Sequence, residues 1–261
     1  KGTNRNIIKI INTESNEVEE RIYANKYVRA NGIFSMPKEK KIVLTDYVND
    51  HLLLYDIQSN CIEKRISTQQ SKSYISTLHP KKPVAYVTNV NSGSVSVIDI
   101  SLGKVIKVIS CGLGKKGIAI TPDGSEVWVT NAKENLITVI DTDSLMVKRK
   151  LKSGRESLKL AFSNDGQYCL VTNARDGTVS VYNQETKKTI KDIQIRGKTT
   201  FIQRLLYHTP RPVNIIMHPN GLYAFVANSN ADKIEVIDMK TLEIVSTIKT
   251  GEVPDAMVLV K

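Results

Sequence analysis

Residues 85–99 read AYVTNVNSGSVSVID: a short alternating run, a polar break, then a second alternating run. Apolar residues at every second position mark strands, and a polar break of this length marks the turn between two antiparallel ones. The same reading fits residues 127–141 (VWVTNAKENLITVID), 169–183 (CLVTNARDGTVSVYN) and 224–238 (AFVANSNADKIEVID), with a weaker copy at 42–56 (IVLTDYVNDHLLLYD). Ahead of three of these copies lies another strand that ends in a tight turn. The turns are Pro122-Asp123-Gly124, Asn164-Asp165-Gly166 and Pro219-Asn220-Gly221. Asp-Gly and Asn-Gly supply the positive φ that such turns demand. After each copy comes a fourth strand, such as residues 243–249 (EIVSTIK). Four antiparallel strands recurring every 41 to 43 residues predict the blades of an all-β propeller. One interval is longer and holds an insertion around Phe201 to Arg211.

The Tyr-Val-Thr-Asn stretch at Tyr86 to Asn89, echoed at Val129 to Asn131 and Val171 to Asn173, resembles the YVTN-repeat propellers. The Pro-Asp-Gly turn and the Val-Ile-Asp strand end are similar to the same family, which itself resembles surface-layer and quinoprotein amine dehydrogenase-like propellers. The resemblance spans nearly the whole chain. It implies a propeller of four-stranded blades and favours an exported or cell-envelope setting. It does not fix an activity, because propellers host many unrelated ones.

Six repeats are visible, and seven blades are expected if the chain is trimmed. Residues 1–261 are expected to form a single propeller domain. Its ring would close by joining Ile7 to Ile11 and Val18 to Tyr23 with an inner strand at Met257 to Val260. That blade lacks a second strand in the sequence.

Composition narrows the class. The chain has 261 residues, 41% of them hydrophobic, and a net charge of +11. No run approaches the roughly 18 apolar residues of a membrane-spanning helix. The first residue is Lys1 rather than Met, which fits a processed or trimmed product. Cys61, Cys111 and Cys169 fall in three different repeats with no CxxC spacing, so they read as free thiols and not as a zinc site.

Catalysis in a propeller belongs at the axial channel, where the inner strands begin. Aligned repeats put Asn31, Tyr74, Lys116, Leu158, Val213 and Asp255 at that position. One carboxylate among six is poor material for a metal site or an acid–base pair. His51, His79, His208 and His218 fall at different repeat positions, and His79 and His218 simply precede the prolines of hairpin turns. Residues 112–117 (GLGKKG) match GxGxxG, but a strand follows where a dinucleotide site needs a helix. Catalytic residues, metal ligands and a cofactor are therefore not expected.

Charge supplies the functional expectation. The blade-to-blade loops carry 12 Lys and Arg against 3 acids, a net of +9. Strand order assigns all of them to one face, where a basic ring focuses the field on acidic partners. The candidate ligand-binding rim comprises Lys26, Arg29, Lys72, Lys115, Lys116, Arg155, Arg196, Lys198, Arg204 and Arg211. Tyr74, Phe201 and Tyr207 are candidate aromatic contacts. The leading expectation is a non-catalytic, monomeric scaffold for an acidic macromolecule: nucleic acid, acidic glycan or protein. The alternatives are an enzyme of the lactonase or quinoprotein-associated type, with His208 and Arg211 supplied by the insertion, and a purely structural cell-surface repeat.

Overall fold

The computed structural model describes residues 7–259 apart from 13, 16, 24–29, 37–38, 115–116 and 198–209. Every described element is a strand, and no described helix is long and apolar enough to cross a membrane. The strands form one two-stranded sheet and five four-stranded antiparallel sheets, each ordered as a simple meander. This is the all-β propeller architecture expected from the repeats.

By contact density the chain divides into two compact units, residues 1–110 with 260–261 and residues 111–259. The first unit begins with β1 (Ile7–Ile11) and β2 (Val18–Tyr23), which pair only with each other. Its first blade is β3 (Ala30–Met36), β4 (Lys41–Asp46), β5 (His51–Asp56) and β6 (Cys61–Ser67). Its second is β7 (Ser73–Leu78), β8 (Val84–Asn89), β9 (Ser94–Asp99) and β10 (Lys104–Ser110). Val43, Leu52, Leu54 and Ile66 of one blade pack on Ala85, Val87, Ile98 and Ile100 around the other.

The second unit holds three blades. The third blade is β11 (Ile118–Ile120), β12 (Glu126–Asn131), β13 (Leu136–Asp141) and β14 (Met146–Lys152). The fourth is β15 (Ser157–Phe162), β16 (Tyr168–Asn173), β17 (Thr178–Asn183) and β18 (Thr189–Gln194). The fifth is β19 (Pro212–Met217), β20 (Tyr223–Asn228), β21 (Lys233–Asp238) and β22 (Glu243–Lys249). The middle blade is covered on both faces, which explains why its strands read as nearly continuous apolar runs. On β16, Cys169 and Val171 face Trp128, Ile137 and Val139 of the third blade. Leu170, between them, faces Ile215, Val226 and Ile237 of the fifth. Strand alternation thus divides one sheet between two cores.

Turn chemistry repeats as faithfully as the strands. The third strand of every blade ends on Asp56, Asp99, Asp141, Asn183 or Asp238. In each, Oδ1 accepts the N–H three residues on, at 2.7–2.9 Å. One residue further, Asn60, Gly103, Leu145, Lys187 and Leu242 all adopt positive φ. The Asp that closes each Val-Ile-Asp strand is therefore the turn-former, not a ligand.

Among the described residues, Met257 to Leu259 of the expected sixth inner strand carries no ladder, and Val258 is 82% exposed. The described part of β1 and β2 forms a two-stranded sheet.

Candidate functional site

The inner strands of the second unit bring together the polar groups best placed for a ligand. On β15 the sequence Ser-Leu-Lys-Leu inserts Lys159 between two leucines. A register shift between Ser157 and Leu160 loosens the ladder at this point. Thr172 bridges it, its Oγ1 accepting the Lys159 N–H at 3.1 Å. The Thr of each Thr-Asn pair plays this part elsewhere too: Thr130 accepts from Gly117 N at 2.7 Å and Thr88 from Ile75 N at 3.3 Å. These threonines fasten the second strand to the inner one. Burial pushes the Lys159 ammonium below the usual lysine range, and the charge of Asp255 opposes that shift only in part. Lys159 is thus a half-buried cation whose charge its surroundings disfavour.

The rim residues divide among several surroundings. Lys26, Arg29, Lys115, Lys116, Lys198, Arg204, Phe201, Tyr207 and His208 lie outside the described residues. In the first unit, Lys72 rests 4.8 Å from the centre of the Tyr47 ring, and Tyr74 meets the same ring edge-on at 6.1 Å. In the second unit, the Arg155 side chain is 2.5 Å from Asp176 and Arg211 is 2.6 Å from Glu156. Arg196 is exposed, and its carbonyl accepts from Asn228 at 3.0 Å. Asp176 and Glu156 thus each pair with one cation of the expected rim. They come from a turn 21 residues on and from a strand-leading position 55 residues back, where no linear count could pair them.

The described histidines serve turns. Nδ1 of His79 accepts the N–H groups of Lys81 and Lys82 at 3.0 Å each, and Nδ1 of His218 accepts that of Asn220 at 3.2 Å. His51 bonds the Asn49 carbonyl. Cys169 is fully buried among apolar side chains, which pushes its thiol well above the usual range. Among the described residues, no three His, Cys, Asp or Glu side chains gather as a metal site would require. Sequence reasoning missed Lys159 because it aligned Leu158, one residue earlier, as the channel position. The signal was a lone lysine inside an otherwise apolar inner strand.

Comparison with known proteins gives the class. The family model for the cytochrome D1 heme domain matches residues 80–216, just over half of the chain. The chain belongs to that family. Among solved structures, hydrazine synthase of Kuenenia stuttgartiensis superposes with a TM-score of 0.72 at 18% identity, covering 86% of this chain and 67% of that one. At that identity the likeness is one of fold. A search of curated protein sequences finds no match. The family match supports the propeller-type resemblance, while the finer YVTN-repeat assignment is not confirmed by it. It also overturns the expectation of a non-catalytic scaffold for nucleic acid or another polyanion, since the family is defined by a heme domain.

Among the described inner-strand residues of the second unit, Lys159 is the one cation that a ligand carboxylate could pair with. At the described upstream ends of the inner strands β15 and β19, Leu158 and Val213 offer no imidazole, thiol or thioether for iron.

Proposed function

We propose that this chain is a heme-associated, redox-linked propeller module of the cytochrome D1 heme domain family. The observation that carries this reading is the family match over residues 80–216. Lys159 is the residue of the second unit that would hold a tetrapyrrole carboxylate, because pairing relieves a charge already stripped of water. Heme supplies electron-transfer and ligand-binding chemistry when bound; the part assigned to these residues is recognition of its acidic edge. The test is co-elution of hemin with the purified chain in gel filtration, beside a Lys159→Met variant. Retention by the wild type and at least tenfold weaker retention by the variant supports the reading. Failure of the folded wild type to retain hemin removes it.

A further inference from the structure

Each four-stranded blade ends its second strand on the same polar position: Asp46, Asn89, Asn131, Asn173 and Asn228. In four of them Oδ1 accepts a hydrogen bond. Asp46 takes the N–H of Val48, Asn89 the Ser73 hydroxyl, Asn131 the N–H groups of Lys133 and Glu134, and Asn228 the N–H of Arg211. Asn173 is the exception. It is fully buried, yet its Oδ1 has no partner. Proton accounting fixes the amide this way round. Ser180 gives its one hydroxyl proton to Asp192 at 2.5 Å, so toward Asn173 it can only accept, and Nδ2 points at it from 2.8 Å. Ser157, the counterpart of Ser73, instead contacts the Ser153 hydroxyl at 3.0 Å. Gly154 completes the arrangement, since a Cβ there would lie 2.4 Å from Asn173 Cγ.

Asn173 lines a cavity of about 340 Å³ between the end of β14 and the fourth blade. We propose that this cavity is a binding site for a small neutral polyol of monosaccharide size. The unpaired Asn173 oxygen calls for a donor, because a buried acceptor left without one carries its full desolvation penalty. Asp192, whose Oδ1 already accepts from Ser180 at 2.5 Å, lines the same cavity, as do Thr178, whose hydroxyl accepts from Asn173 Nδ2 at 3.1 Å, and Thr189 and Lys152, so the walls carry both acceptor and donor groups. Asp176 is already held by Arg155 through both side chain and backbone. Mixed donors and acceptors suit hydroxyl groups, each of which gives one hydrogen bond and takes others. A carboxylate ligand would face Asp192 and an acceptor oxygen. An ammonium ligand would face Lys152 on a chain of net charge +11. The volume sits at the small end of the roughly 300–1,000 Å³ range for ligand cavities.

The test is a heteronuclear NMR titration of the whole chain that follows the Asn173 side-chain amide, assigned by its loss in Asn173→Leu. Glucose, galactose and mannose are compared with putrescine and succinate. A saturable shift with at least one hexose, weakened about tenfold in Asp192→Asn, is the expected result. Asp192 is exposed, so its variant keeps the experiment decisive if Asn173→Leu fails to fold. Shifts with putrescine or succinate alone, or no shift with any hexose, overturn the proposal and leave the cavity to water.

Discussion

Lys187, on the turn between β17 and β18, sets its ammonium 2.5 Å from Oε2 of Glu126 on β12, so that one buried ion pair joins the fourth blade to the third. Glu126 also accepts from Trp128 Nε1 at 3.0 Å, Lys148 at 3.0 Å and Gln184 at 3.1 Å. The Lys187 ammonium lies 5.3 Å from the centre of the Trp128 ring. Lys187 reaches this place from a positive φ of 63°, the fourth-blade version of a turn that glycine makes in the second.

Removing one side of a buried pair strands the other, which costs about 3–5 kcal/mol. Glu126→Ala is expected to lose about 3 kcal/mol in denaturant unfolding. Lys187→Met is expected to lose less, because Lys148, with a side chain 55% exposed, still reaches the carboxylate. The double variant should regain part of the sum. Full additivity would mean that the two residues do not act as a pair.

Acid should act through the same carboxylate. Burial raises the Glu126 pKa, but hydrogen bonds from Lys187, Trp128 and Lys148 outweigh burial and hold it below the ordinary 4.5. Asp141 is held below 3.8 chiefly by the backbone N–H of Ser144, and Asp165 by the Ser163 hydroxyl. Groups depressed on folding contribute stability that is complete above their unfolded values and lost as pH falls through the folded ones. Denaturant midpoints should therefore be flat near neutrality and fall steeply below roughly pH 4. Glu126→Gln should flatten that fall. An unchanged acid slope in the variant would separate Glu126 from acid sensitivity.

Two glycines separate backbone conformation from packing. Gly103 has a φ of 67° and open space where a Cβ would stand. Gly103→Ala should cost only the left-handed conformation, about 1 kcal/mol. At Gly177, with φ 65°, a Cβ would also come within 2.6 Å of Pro210 Cγ. Gly177→Ala should cost clearly more, and equal losses in calorimetry would contradict the packing.

Lys159 carries a cost that its proposed role explains. Its pKa is lowered by burial from 10.5, so folding opposes its charge. In the window below 10.5 the unfolded chain binds more protons at this site, and stability rises with pH there. Lys159→Met is expected to unfold at a higher temperature than the wild type while binding hemin less well. A lower melting temperature would mean that Lys159 is part of the scaffold.

The repeat was legible because the strands, the Asp-Gly turns and the Val-Ile-Asp ends are local signals. Met257 to Leu259 alternates like a strand in sequence, yet it carries no ladder among the described residues, and alternation alone does not supply one. The scaffold function read from charge is overturned by the family match. The ion pairs of the rim were not legible, because Arg155 and Arg211 are cations in the sequence and only folding brings Asp176 and Glu156 against them. Lys159 and Asn173 were hidden for the converse reason, since one looks like a surface lysine and the other like its four counterparts until burial and hydrogen bonding are known.

Heme binding is decided by a Soret-region titration of the purified chain with heme. The expected result is a saturating spectral change at one heme per chain, weakened in Lys159→Met. A spectrum identical to that of free heme at every ratio, from protein that remains folded, would contradict it.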